Sequence, residues 1–212
     1  MHMDKVILRA ILSTLAAIGV LIALLALTCA FLFPSTLMTI SYNLGMEKSA
    51  VRYAERAYKQ DGGAYYLACA FEISVGEETY SDVEKFGRKL IQNKEFDEYC
   101  SRMDEEAAQT VTGSYAQYVY GNTYAAAYRN AKTPSEKQQA IDEAFACVNS
   151  GFPRNNAVFK MVIVVLRSQD ATATEYTLEK MLALQTEKAS AFSESDQGLL
   201  QEMITLVQGY MQ

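Results

Sequence analysis

The chain has 212 residues with 19 basic and 25 acidic side chains, a net charge of −6, three prolines and no tryptophan. Beyond residue 34, 178 residues remain with 17 basic and 24 acidic side chains, enough for one domain with a proper core. The balance of −7 argues against a nucleic-acid partner, whose phosphates demand a basic surface, and against broad adhesion to anionic lipid.

Ala10 to Phe33 carries no charged residue. Its 24 residues suffice to cross a hydrocarbon core of roughly 30 Å as a helix. Residues 1–34 therefore read as an N-terminal transmembrane anchor in contact with the bilayer through Ala10–Phe33. A cleaved signal peptide would have a shorter apolar region, although Thr28-x-Ala30 is a passable cleavage site. Ala26-Leu27-Thr28-Cys29 also invites a lipoprotein reading, which Thr28 fits poorly. Lys5 and Arg9 precede the run, whereas Ser35–Met46 has no charge. This bias favours a cytoplasmic N-terminus and an extracytoplasmic domain; the free thiols pull the other way.

Residues 35–45 read as a membrane-proximal connector, with Leu37, Met38, Ile40 and Tyr42 at interface depth. The alternative is a helix that resumes after Pro34. From residue 46 to 212 the pattern is helical throughout. Met46–Gln60 has an apolar stripe at Ala50, Tyr53/Ala54 and Ala57/Tyr58, and Asp61-Gly62-Gly63 breaks it. Ala64–Val75 is a more apolar helix that Gly76 should end. Ser81 and Glu84 have the spacing of a capping box for a third helix, with Val83, Phe86, Leu90 and Ile91 inward and Asn93 at its end.

Glu95–Ala108 is acidic and amphipathic; it lacks a calcium loop and reads as a solvated helix face. Ser114–Ala131 is rich in Tyr and Ala. Thr133-Pro134-Ser135-Glu136 is a strong helix start, and that helix should run to Val148. Asn149–Pro153 reads as a turn. Met161–Leu166, by propensity a strand, is too short for a second span, and a fully buried central helix is preferred. Thr172 or Thr174 should start the next helix, and Ser193 or Ser195 the last. The expectation is an all-α chain with about nine helices after the anchor.

Alanine-rich helix pairs joined by short turns resemble the tetratricopeptide family, whose 34-residue repeats are antiparallel helix pairs. Tyr120-Gly121 followed by Tyr124 matches the first helix of a repeat. Ala140, Ala144, Phe145 and Cys147, then Pro153, match the second. Ala50, Ala54 and Ala57 resemble an earlier second helix, Leu67-Ala68 and Phe71 the first helix of the next pair, and Asn156–Glu187 a third pair. The array departs from the pattern between Gly121 and Ala140, where the spacing is longer, and at Val83, Gly87 and Leu90, where alanines would stand.

This resemblance implies an α-solenoid-like array whose first helices line a groove for a peptide; an irregular helical bundle is the alternative architecture. The groove face would carry Tyr115, Tyr118, Asn122, Ala125, Ala126 and Arg129, with Tyr65, Cys69, Glu72 and Ile73 from the preceding pair. Asn122 would pair with a peptide backbone and Arg129 with a carboxylate. Plain core packing of the Tyr/Ala stripe is the competing reading.

Catalysis finds little support. The only histidine is His2, which removes His-dependent triads and His metal sites. GxGxxG, GxxxxGK[ST] and GxSxG are absent, and no cofactor or metal site is expected. The cysteines Cys29, Cys69, Cys100 and Cys147 form no CxxC, so a disulfide framework is not expected, and Cys69 and Cys147 read as core side chains. The expected function is a membrane-tethered, non-enzymatic interaction module for a protein or peptide partner. The alternatives are a structural accessory subunit of a larger membrane complex, or a small-molecule-binding domain with a pocket near Tyr65, Tyr66 and Tyr118.

Overall fold

The structure is a computed structural model that describes residues 2–107, 114–148 and 157–211. Among the described residues there are eleven α-helices, one 3-10 turn at Ala189–Ala191 and no strand. The chain divides into two compact units, Met1–Gly62 and Gly63–Gln212, so the boundary lies inside the 46–212 stretch.

The first unit holds α1 (His2–Leu32), α2 (Pro34–Asn43) and α3 (Glu47–Asp61). Within α1, Arg9–Cys29 is long and apolar enough to cross a membrane, and none of that segment is buried. Phe33 leaves helical geometry (φ −131°, ψ 52°), and Pro34 starts α2. Proline suits a first turn because its missing N–H has no intrahelical partner there. Helix thus resumes after Pro34, the second of the two sequence readings of residues 35–45. Gly45, at φ 66°, ends α2: its N–H donates to Tyr42 O (3.0 Å) and that of Met46 to Ser41 O (2.8 Å), a Schellman closure that needs a left-handed residue. α3 then packs against α2 and buries Ala50, Ala54 and Ala57.

The second unit comprises α4 (Ala64–Gly76), α5 (Tyr80–Ile91), α6 (Phe96–Ala107), α7 (Tyr115–Asn130), α8 (Pro134–Ala146), α9 (Ala157–Ser168), α10 (Ala171–Lys188) and α11 (Glu194–Tyr210). Ten α-helices therefore follow α1 among the described residues, one more than expected, because the connector is helical. α4 and α5 pack together, and α7 packs on α5, α6, α8 and α9. α10 packs on α8, α9 and α11. One core joins Tyr128, Ile141, Ala144, Met161 and Val165; another joins Val162, Met181, Leu200, Met203 and Ile204. Met161–Leu166 lies in a buried helix as preferred, since Val158, Met161, Val162 and Val165 all fall on its inner face.

Several helix ends differ from expectation for identifiable reasons. Gly76 is the last helical residue of α4 and does not cap it; Glu78, two residues on, takes the left-handed position (φ 52°). Its N–H reaches Val75 O and that of Thr79 reaches Ser74 O (3.2 and 3.0 Å), so this reversal has Schellman geometry without its usual glycine. The Ser81–Glu84 capping box does not form. α5 begins at Tyr80, and the Glu84 carboxylate is taken by Arg88 Nε (3.0 Å) and Asn130 Nδ2 (2.9 Å). By contrast, the Thr133–Glu136 capping box is complete, and α8 stops at Ala146, two residues early. Asp170, not a threonine, caps α10 by accepting from Ala173 N at 3.1 Å; Ser193 caps α11. All four cysteines are free, and Cys100 is the buried one, whereas Cys69 and Cys147 are half-buried. The Asn149–Pro153 turn lies outside the described residues.

Candidate functional site: a cleft over α7 and α9

The groove face read from the sequence separates into two neighbouring groups. The first is a hydrogen-bonded cluster. Glu72, on the inner side of α4, accepts from Tyr115 OH on Oε1 (2.7 Å) and from Tyr118 OH on Oε2 (2.9 Å). Tyr118 meets Phe71 edge-on, with ring centroids 6.0 Å apart, and Tyr115 meets Tyr99 at 5.8 Å. Asp104 Oδ1 accepts from Tyr115 N at 2.6 Å, a carboxylate at the positive end of α7. Burial raises the pKa of Tyr115 and Tyr118, and Glu72 adds to it because a phenolate beside a carboxylate is repelled. Burial lifts Tyr99 to about 12. On α4, Tyr65 is half-exposed and hydrogen-bonds Cys69, which raises its pKa, while burial pushes up the Cys69 thiol. These residues are engaged with one another.

The second group lines a cleft of about 340 Å³ between the α4–α5 turn, α7 and α9. α7 contributes Asn122, Ala125, Ala126 and Arg129, four members of the expected face. Their spacing puts them on one side of the helix. Val83, Phe159, Ile163 and Val164 supply apolar wall, and Glu78, Tyr80 and Lys160 supply polar groups. Asn122 Nδ2 donates to Tyr118 O at 2.9 Å, so one amide proton already serves its own helix. Arg129 is exposed, lies over the Tyr80 ring at 4.4 Å and donates to Tyr80 OH at 3.0 Å. Asn130 Nδ2 donates to Tyr80 O at 3.1 Å, which fixes the ring beneath the guanidinium.

Lys160 joins the two groups. Its ammonium sits 4.7 Å from the centroid of the Tyr118 ring, a cation–π distance. Burial lowers its pKa and the Glu72 carboxylate opposes that fall. Its stem lies over Gly121: a Cβ there would stand 2.9 Å from Lys160 Cδ and 3.4 Å from Ala157 Cα. The glycine thus lets α9 approach α7 and lets the lysine cross it.

The sequence reading missed the whole α9 wall, Lys160 included. The available signal was a single cation inside the otherwise apolar run from Ala157 to Leu166. Among the described residues no cluster of three or more His, Cys, Asp or Glu is placed to hold a metal ion. No protein-family model, curated protein or solved structure matches the chain.

Proposed function

We propose that this chain is a membrane-tethered, non-enzymatic interaction module that holds a protein or peptide partner in the cleft over α7 and α9. The observation that carries the reading is the composition of that cleft. Small side chains, Ala125 and Ala126, leave room on an apolar floor, with the Asn122 amide and the cations Arg129 and Lys160 at its edges. A backbone-binding amide beside cations on a helical wall suits an extended segment with acidic groups. The packing of α7 on α5, α8 and α9 supports a degenerate tetratricopeptide-like array with α4–α5, α7–α8 and α9–α10 as its pairs. α1 serves as the span in this reading, and the charge bias of Lys5 and Arg9 favours a cytoplasmic N-terminus with the second unit outside. A tether of this kind raises the effective concentration of a partner at the membrane without tight binding.

A photoreactive side chain at position 122, in the full chain in its native membrane, tests the cleft. A discrete cross-linked partner that is lost in Lys160→Met supports the proposal; intramolecular products alone overturn it. A second reading, an accessory subunit of a larger assembly, is favoured by Leu206 and Tyr210, exposed one turn apart on α11. Capture from position 206 but not from 122 selects that reading. For orientation, an impermeant thiol reagent that reaches Lys132→Cys in intact cells supports the outward domain. Labelling only after permeabilisation overturns it.

A further inference from the structure

The first unit contains a relationship that neither the anchor nor the cleft accounts for. α2 has 10 residues and rises about 15 Å away from the end of α1. α3 has 15 residues and returns about 22 Å in the opposite sense. The return overshoots, so the last turn of α3 arrives beside the end of α1. There Gln60 Nε2 donates to Phe31 O at 2.5 Å. That carbonyl needs an outside donor, because the helical ladder is interrupted at Phe33–Pro34. Gln60 is 29 residues from Phe31 in sequence yet lies at the exit of the apolar segment.

The same helix carries Lys48, Arg52, Arg56 and Lys59, all exposed. Steps of four, four and three residues put them on one face, opposite the buried Ala50, Ala54 and Ala57. Among the described residues none of the four forms an ion pair. Arg56 lies 5.7 Å from the Tyr53 ring centroid, which leaves its guanidinium open on the other face. The acidic residues of α3 are Glu47, at its far start, Glu55, which is engaged elsewhere, and Asp61. The net charge of −7 beyond the anchor hides this ridge, because residues 63–212 hold 21 of the acidic side chains and 13 of the basic ones.

We infer that the returning end of α3 is a phospholipid-docking surface: Gln60 pins it to the exit of the span, and Arg56 and Lys59 bind headgroup phosphates of the leaflet from which α1 emerges. This rests on the reading of α1 as a span. The headgroup layer adds about 5–8 Å on each side of the hydrocarbon, and Arg56 stands four residues, about 6 Å, above Gln60 along the helix. Both cations therefore fall within that layer, while Lys48 and the Gly45 turn stand clear of it. Long basic stems suit this depth, as they lie along apolar surface while the charge reaches phosphate.

The absence of tryptophan provides the test. Single substitutions Leu21→Trp, Leu44→Trp and Asp61→Trp are placed in the full chain and reconstituted in phosphatidylcholine–phosphatidylglycerol vesicles with acyl chains brominated near the headgroup or near the methyl end. Deep bromine should quench Leu21→Trp, shallow bromine alone should quench Asp61→Trp, and neither should quench Leu44→Trp. Adding Arg56→Gln with Lys59→Gln to Asp61→Trp should reduce the shallow quenching and open the indole to aqueous iodide. These side chains are exposed, so helix content by circular dichroism should not change. If Leu21→Trp escapes deep quenching, the anchor reading fails and the docking surface with it. If it is quenched but Asp61→Trp is not, or if Leu44→Trp is quenched equally, the docking inference alone fails. Unchanged shallow quenching in the double substitution also overturns it.

Discussion

Gly87 of α5 and Thr123 of α7 are in direct contact: a Cβ on Gly87 would stand 1.9 Å from Thr123 Oγ1 and 2.9 Å from its Cβ. Thr123 is fully buried and donates to Val119 O at 2.7 Å, so its hydroxyl has no free space to move into. The α5–α7 contact is therefore set by the one residue type without a side chain. Gly87→Ala should destabilise the second unit by about 1–3 kcal/mol, the usual cost of overpacking, read as a fall in Tm or denaturant midpoint. Thr123→Ala in the same chain removes the nearest atom and should recover part of that loss. Additive single and double values would show that the two positions do not meet.

Gln117 links α8 and α9 through their backbones. It is buried, donates from Nε2 to Cys147 O at 2.9 Å and accepts from Ala157 N at 3.3 Å on Oε1. Gln117→Leu keeps the volume but strands a carbonyl and an N–H away from water. It should cost about 1–3 kcal/mol, with faster amide exchange at the start of α9. An unchanged Tm would mean that water replaces both bonds.

Local sequence signals decide the structure where nothing distant competes for the same atoms. Thr133, Pro134 and Glu136 form their cap as written in the sequence, and Ala50, Ala54 and Ala57 are buried as their spacing requires, with Tyr53 and Tyr58 half-buried at the border of the stripe. Where a tertiary partner bids for a side chain, the sequence is silent. Glu84 leaves its capping box for Arg88 and Asn130, and Arg88 extends the network to Glu143, with Nη2–Oε2 at 2.8 Å. The cleft was half legible for a similar reason. Helical spacing places Asn122, Ala125, Ala126 and Arg129 on one side of α7, but it cannot say that Glu72 turns Tyr115 and Tyr118 into a cluster of their own. Nor does spacing distinguish Lys160 in a cleft wall from an interruption of a core helix.

The Glu72–Tyr115–Tyr118 cluster has a consequence at high pH. The folded state holds the phenolic protons of both tyrosines more tightly than the unfolded chain does. Their contribution is therefore fully present below the unfolded pKa of about 10 and is lost as pH rises through the raised folded values. Stability should fall steeply above about pH 10. Tyr115→Phe and Tyr118→Phe together should flatten that fall, at some cost near neutrality from the two lost bonds to Glu72. Tyrosinate absorbance near 295 nm is readable without tryptophan, so unfolding and titration can be followed together; coincident early titration of all tyrosines in the native state would contradict the cluster.

Lys160 separates stability from binding. Burial lowers its pKa in the folded state, so the unfolded chain binds its proton more tightly and the folded state is penalised at neutral pH. That penalty shrinks as pH rises through the lowered folded value towards the unfolded one. Lys160→Met keeps the stem that covers Gly121 and removes the desolvated charge, so the protein should melt at the same temperature or higher. If the cleft takes an acidic segment, the same substitution should weaken partner capture from position 122. Lys160→Arg should keep much of that capture, despite crowding against Tyr118. A lower Tm for Lys160→Met would instead show that the cation–π contact with Tyr118 holds α9 in place. Unchanged capture at an unchanged Tm would remove Lys160 from the site.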